Sequence, residues 1–366
     1  MASGNFKTSY RAEHKLVQSN VVRFWLVVLA AFLVYLPHVL QNRELFGVSL
    51  SYTQMLGMSL VQINFALIAI LGAVSLNLLT GYTGLISLGH AGFFAVGGIV
   101  GAYFGVQLGW PFPVVLLLSG VVGAIVGVIV GLPSLRVRGL YLLLATLALH
   151  FIMVYVFLRY QVANFGVVGV RYPQPSLFGW PISSPFRWYW VLLPLVVLFV
   201  LATKNLLRTR EGRAFVAIRD HDIAASATGI NLAAQKLKVF AVSSFMATMA
   251  GTLWVWNLSA ATNEIFTLTL AIEFIAIIII GGLGSILGAI LGALLWQLLP
   301  GAISALSDTV SPTTPVVGEL FNQYPAQLNQ LLLGVIIVLV LVFKPEGLNG
   351  FWISIRNFFT RWPYTT

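Results

Sequence analysis

Glu273 stands inside the run LAIEFIAIIII, where no neighbouring side chain offers a polar partner. A bare carboxylate in such surroundings is expensive and needs either a partner or a functional duty. It can flank a path for solute, or it can clamp backbone groups freed at a helix break; the clamp is the preferred reading. Ser87, His90 and Ser285 are the other polar groups in apolar context, and they fall in two glycine-rich stretches, GYTGLISLGHAGFFAVGG (81–98) and GGLGSILGAILGA (281–293). Neither stretch reads as a plain straight helix. A helix broken within a membrane exposes unpaired backbone groups, which are tolerated only where protein or a water-lined cavity satisfies them. Ser87, His90, Glu273, Gly281, Gly282, Gly284 and Ser285 are therefore candidate pathway residues, with helix packing as the competing account. His150 lacks a second ligand-spaced histidine or a nearby acid and reads as a packed helix residue.

Absences narrow the chemistry. There is no G-x-x-x-x-G-K-[ST] phosphate loop, no H-E-x-x-H and no cofactor fingerprint, so the chain is not expected to bind and hydrolyse ATP alone. No catalytic residue and no metal site are expected. With no cysteine there is no thiolate nucleophile, no thiolate metal site and no disulfide framework. Only 10 residues are acidic, and Glu273 alone is clearly buried in a span, which disfavours a carboxylate relay for ion coupling.

The densest polar segment is TKNLLRTREGRAFVAIRDHDIAASATGINLAAQKLK (203–238). Arg213, Arg219, Asp220 and Asp222 can pair with charges, and Ala214, Ile218 and Ile223 offer apolar contacts. Ala224 and Ala225 allow close approach, and Gly229 allows a turn. The segment is suited to meet a protein partner; a helix lying on the lipid surface is the alternative.

The elements that must position these groups follow from composition. Of 366 residues 59% are hydrophobic and 8% charged, against about 25% charged in an ordinary soluble domain, and mean hydropathy is +0.94. Apolar runs long enough to cross a hydrocarbon core of about 30 Å recur along the chain. No period-two alternation marks a membrane barrel, so the fold class is an all-α integral membrane protein. Spans are expected at 24–36, 59–79, 91–107, 113–131, 139–158, 188–203, 238–257 and 328–343, with a broken hairpin over about 269–300. The 34 glycines suit close helix packing, notably Gly123/Gly127/Gly131 and Gly284/Gly288/Gly292.

The net charge of +10 lies in short inter-helix segments, which fits a positive-inside bias rather than a nucleic-acid surface. If the hairpin leaves on the side it entered, both termini are cytoplasmic. Arg136, Arg138, Lys204, Arg208, Arg210, Arg213, Arg219, Lys236, Lys238, Lys344, Arg356 and Arg361 then fall inside. Arg159, Arg171 and Arg187 lie outside, on a proline-rich connection read as a small external cap. The expected layout is a cytoplasmic segment 1–23 and a membrane domain 24–343 containing the external segment 159–187 and the cytoplasmic loop 204–238. A cytoplasmic tail 344–366 follows.

Five stretches in order carry a family resemblance: NLLTGYTGLISLGHAGFFAVGG (77–98), SLRVRGLYLLLATLAL (134–149), GRAFVAIRDHDIAASATGINLAAQKLKVFA (212–241), AIEFIAIIIIGGLGSILGAILGA (271–293) and LVFKPEGLNG (341–350). Together they resemble the permease subunits of ABC importers for branched-chain amino acids, a family that also includes urea and short-amide permeases. The resemblance implies half of a translocation pathway in a bacterial inner membrane. It implies a shorter second permease in a heterodimer, two ABC ATPase subunits carrying ATP and Mg, and an extracytoplasmic substrate-binding protein. It also makes 212–231 the coupling helix that docks on the ATPase, through Arg213, Arg219, Asp220, Asp222, Ala224, Ala225 and Gly229. Ser226 stands where the family often has an acid, and NFGVVGVRYPQP (164–175) replaces a more usual Thr-Gly-Gly run. Outside the resemblance, a self-sufficient channel or carrier and a non-transporting scaffold remain open on residue grounds.

Overall fold

The computed structural model describes residues 20–42, 44–45, 48–49, 58–137, 139–177, 179–310, 325–344 and 346–361. The expected segment 1–23 lies mostly outside these residues, as does Arg138. The described chain is a helical bundle: α1 (Asn20–Asn42), α2 (Leu60–Leu76), α3 (His90–Val100), α4 (Phe112–Gly131), α5 (Leu140–Phe165), α6 (Pro185–Arg208), α7 (Arg210–Asp220), α8 (Asp222–Ala227), α9 (Leu232–Leu258), α10 (Leu268–Gly281), α11 (Ile286–Val310), α12 (Pro325–Phe343) and α13 (Gly347–Arg361). Both α2 and α3 run on into wider π-helical turns, Asn77–Gly81 and Gly101–Gln107. Eight helical stretches among the described residues are long and apolar enough to cross a membrane.

Helix starts follow local chemistry. A helix in lipid leaves its first N–H groups without partners unless a side chain or another segment supplies them. Ser59 and Gln62 form a reciprocal box at α2, with Ser59 N–H donating to Gln62 Oε1 at 2.9 Å and Gln62 N–H donating to Ser59 Oγ at 3.2 Å. Ser184 caps α6, Thr209 caps α7, Asn231 caps α9 and Thr267 caps α10, each accepting a backbone N–H.

The core is held by glycine seams. Gly120, Gly123, Gly127 and Gly131 of α4 face Phe245, Thr248, Ser244 and Phe240 of α9; a Cβ added at Gly123 would stand 2.5 Å from Thr248 Cβ. On the next face of α9, a Cβ at Gly251 would stand 2.5 Å from the Phe94 carbonyl of α3. Small residues let these backbones approach, so packing rather than a hydrophobic gradient binds the helices.

Several spans, α5 and α9 among them, are longer than their apolar runs indicate. The α5 helix continues past 158 to Phe165, where Gln161 Oε1 accepts from Asn263 N–H at 3.0 Å and Asn164 Oδ1 accepts from Gln107 Nε2 at 2.9 Å. The α9 helix starts at Leu232, and Lys238 reaches Glu211 Oε1 at 2.8 Å. Polar side chains at these ends bond beyond the apolar zone, so hydropathy ends before the helix does.

The expected cap is a set of short strands. β3 (Val170–Arg171) pairs antiparallel with β6 (Ala260–Ala261), and β4 (Ser176–Leu177) pairs antiparallel with β5 (Trp180–Pro181). A further two-residue pair, β1 (Glu44–Leu45) with β2 (Val48–Ser49), follows α1. Tyr172 anchors the cap by donating its hydroxyl to the Gly98 carbonyl at 2.9 Å.

The 269–300 stretch is a helical hairpin of α10 and α11. Gly281 packs on Gly288 and Gly292 packs on the Ile277 carbonyl, the pairing of antiparallel helices. Gly284 does not belong to that seam: with φ +74°, beside Gly282 at φ +117°, it forms the turn. The first glycine-rich stretch falls, as the expected spans 59–79 and 91–107 require, between two helices. Residues 84–89 are a non-helical link between the end of α2 and the start of α3, not a break midway along one helix.

Candidate functional site

The hairpin turn is held by side chains from α2. Asn77 donates through Nδ2 to the Ser285 carbonyl at 2.8 Å and accepts at Oδ1 from Gly284 N–H at 2.9 Å. The Tyr82 hydroxyl accepts from the Ile286 backbone, and Ser285 Oγ accepts from Gly288 N–H at 3.1 Å. Backbone groups at the start of α11 are thus satisfied inside the protein. Tyr82 itself titrates above the ordinary tyrosine range, mainly through burial.

The polar segment reaches the same place. Arg219, near the end of α7, donates Nη1 to the Gly81 carbonyl at 2.6 Å, and a Cβ at Gly284 would collide with that guanidinium. The carbonyls just before Gly81 are occupied locally: Thr80 accepts from Gly84 N–H at 3.1 Å and Leu79 accepts from Leu85 N–H at 3.3 Å. From the other side, Cβ atoms at Gly282 and Gly347 would meet the Glu346 carbonyl and Gly282 N, the latter at 2.6 Å. A polar cleft lined by Thr83, Gly84, Gly139, Asp220, Asp222 and Lys236 adjoins this junction. Parts of all five sequence stretches therefore meet at one end of the bundle, opposite the strand cap.

The segment itself is a two-helix arm. Gly212, Ala214, Phe215 and Ile218 are buried against the bundle, so Ala214 and Ile218 serve inward packing, not the partner contacts expected of them. Arg213 is exposed and donates to the Arg208 carbonyl at 3.0 Å. Asp220 and Ala224 are exposed, Asp222 is half-buried, and Ile223 is 63% exposed. Ala225 is buried and seats α8 on the bundle. Gly229 has φ +85°, with Ile230 N–H donating to the Ala225 carbonyl at 3.1 Å and Gly229 N–H donating to the Ser226 carbonyl at 3.0 Å. That pattern is a Schellman turn, in which glycine relieves the left-handed strain. At the arm's base Glu211 is hydrogen-bonded by Lys238, which with the nearby Gln235 side chain holds its carboxyl below the usual carboxylate range.

The remaining candidates are dispersed. Ser87 is buried and accepts from Gly89 N–H at 3.2 Å. His90 is 1% exposed, with Nε2 2.8 Å from Ser75 Oγ and 2.9 Å from the Gly72 carbonyl. Its ring packs edge-on to Phe274 at 5.5 Å. Both residues are locked into the chain's own interior. Glu273 is half-buried on α10, and its carboxylate accepts from the Trp296 side chain of α11. It clamps the two hairpin helices through a side chain, where freed backbone donors were expected. Asn77, Tyr82 and Trp296 were not singled out from sequence; an asparagine in the run LGAVSLNLLTG was the available signal. No cluster of metal-ligating residues occurs among the described residues.

A family model described as "Branched-chain amino acid transport system / permease component" matches residues 58–341. The high-affinity branched-chain amino acid transport system permease protein LivM of Salmonella typhimurium is 31% identical over 306 residues, covering 77% of this chain and 68% of that protein. Its Escherichia coli K12 counterpart is 30% identical over the same coverage. The probable branched-chain amino acid transport permease protein LivM of Methanocaldococcus jannaschii is 25% identical over 317 residues, 75% of this chain and 88% of that protein. No solved structure matches the chain.

Proposed function

Because the chain belongs to the family of branched-chain amino acid transport system permease components, we propose that it is one half of the pathway of an ATP-driven importer of branched-chain amino acids. It is a multi-pass membrane protein of a transport family. The carrying observation is the convergence of the arm 210–231, the hairpin turn and the 346–349 stretch at one end of the bundle.

In this reading that end is cytoplasmic. Arg208, Arg210 and Arg213 gather there, while Arg171 stands in the cap and Arg187 binds the Pro181 carbonyl beside it, an excess that fits a positive-inside orientation. The membrane is the bacterial inner membrane and both termini are cytoplasmic. The arm docks on an ABC ATPase through its outward face, Arg213, Asp220, Ile223 and Ala224, while Gly229 and the buried Ala225 set its shape. Two such ATPases carry the ATP and Mg, a shorter permease completes a heterodimer, and a substrate-binding protein meets the 159–187 cap. Glu273 and the hairpin glycines Gly281, Gly282 and Gly284 border the pathway, with Ser87, His90 and Ser285 supporting its wall.

The test is capture of the ATPase subunit by the detergent-solubilised chain, followed by leucine uptake into proteoliposomes holding the full set of subunits. Ile223→Glu with Ala224→Arg places charge on exposed positions without touching a buried contact, and should insert normally while losing both capture and uptake. Wild-type chain that captures no ATPase, or that moves leucine alone, would reject this reading in favour of a channel or carrier.

A further inference from the structure

We propose that Arg219 is a positioning residue for transport, a rigid strut that ties the arm to the hairpin turn so that movement of α7 is imposed on α10 and α11. The inference rests on the importer reading and adds the residue and the target through which motion passes. Arg219 was expected among the docking residues of the arm; in the structure it is exposed overall, but its Nη1 turns away from the outward face, to the Gly81 carbonyl at 2.6 Å and against Gly284. The Gly81 carbonyl lies at the end of α2, where unpaired carbonyls carry partial negative charge and favour a cation.

From Gly81 the path to the hairpin is short. Asn77, in the same π-helical turn, bonds both Gly284 and Ser285. The guanidinium therefore touches one side of the turn and, through one turn of α2, the other. The hairpin is stiff on its far side, where Gly281 and Gly288 pack backbone to backbone and Gly282 meets Glu346. Beneath the arm, by contrast, lies the polar cleft lined by Thr83, Gly139 and Asp222. An arm that moves must break the Arg219 bond or drag Gly81 and the turn with it. A planar, always-charged donor suits that task better than a lysine, whose point charge fixes no orientation.

The experiment compares wild type, Arg219→Lys and Arg219→Ala in the fully assembled transporter, reading ATPase capture, ATP hydrolysis and leucine uptake separately. Arg219→Ala is expected to capture ATPase and hydrolyse ATP like wild type while uptake falls about tenfold or more, the scale of one charge-assisted hydrogen bond. Arg219→Lys should recover part of the uptake. Uptake by Arg219→Ala within about twofold of wild type would overturn the strut, given that scale. So would loss of ATPase capture by Arg219→Ala, since Arg219 would then be a docking group. If wild type itself captures no ATPase, the importer reading fails and takes the strut with it. A second measurement needs no variant: amide exchange across 281–288 should change when the docked ATPase closes on a non-hydrolysable nucleotide. Unchanged exchange there, with ATPase bound, also overturns the proposal.

Discussion

At the scale of single residues, the buried amides and glycines of the junction set what substitution can tolerate. Asn77→Ala would strand the Gly284 N–H and the Ser285 carbonyl. An orphaned buried polar group costs about 1–3 kcal/mol, so the variant should melt several degrees below wild type in detergent, as read by a thermal-shift assay. Gly229→Ala has a different cause. No atom stands within 4 Å of its would-be Cβ, and the cost of about 1–2 kcal/mol comes from φ alone. It should loosen the 226–231 turn to limited proteolysis without altering the bundle's melting. At the arm's base, Lys238 lowers the pKa of Glu211. A depressed carboxylate pKa adds stability above the unfolded value, and the gain is lost as pH falls through the folded one. Both side chains are well exposed, so Lys238→Ala should change stability by no more than about 1 kcal/mol, an effect that vanishes in acid.

At the scale of elements, the glycine seams make the sharpest prediction. Gly127→Leu would drive a side chain into Ser244 and the Phe240 carbonyl, the latter 2.8 Å from a mere Cβ. Overpacking costs about 1–3 kcal/mol even in yielding cores, and here a backbone carbonyl must move, so lower yield and a lower melting point by size-exclusion and thermal shift are expected. The Gly123/Gly127/Gly131 seam was legible in sequence because spacing alone reports a helix face. Gly288 and Gly292 were legible for the same reason, but Gly284 was not separable from them, since a turn glycine and a packing glycine look alike without φ. Ser87 and His90 carry a related ambiguity. Polar side chains in apolar runs announce that something must satisfy them, but not whether it is solute or the preceding helix; the Gly72 carbonyl and Ser75 answer for His90. The arm's inner face was misread because an amphipathic helix offers its apolar stripe to whichever body lies nearest, and α7 gives Ala214 and Ile218 to its own bundle.

At the scale of the whole molecule, the proposal stands or falls on which end faces the cytoplasm. The chain contains no cysteine, so single cysteines can be introduced without background, and both ends offer exposed positions. Val167, in the cap, is 82% exposed and Ile223, on the arm, is 63% exposed. In intact cells Val167→Cys should react with a membrane-impermeant maleimide and Ile223→Cys should not; in inverted vesicles the pattern should reverse. The hairpin sharpens the test, because α10 and α11 return to the side they entered and restore the parity of the count. Leu283→Cys, at the turn and 47% exposed, should therefore label from the same side as Ile223→Cys. Labelling of Leu283→Cys from the cap side would separate the hairpin turn from the arm, and the junction on which the importer reading is built could not exist in the membrane.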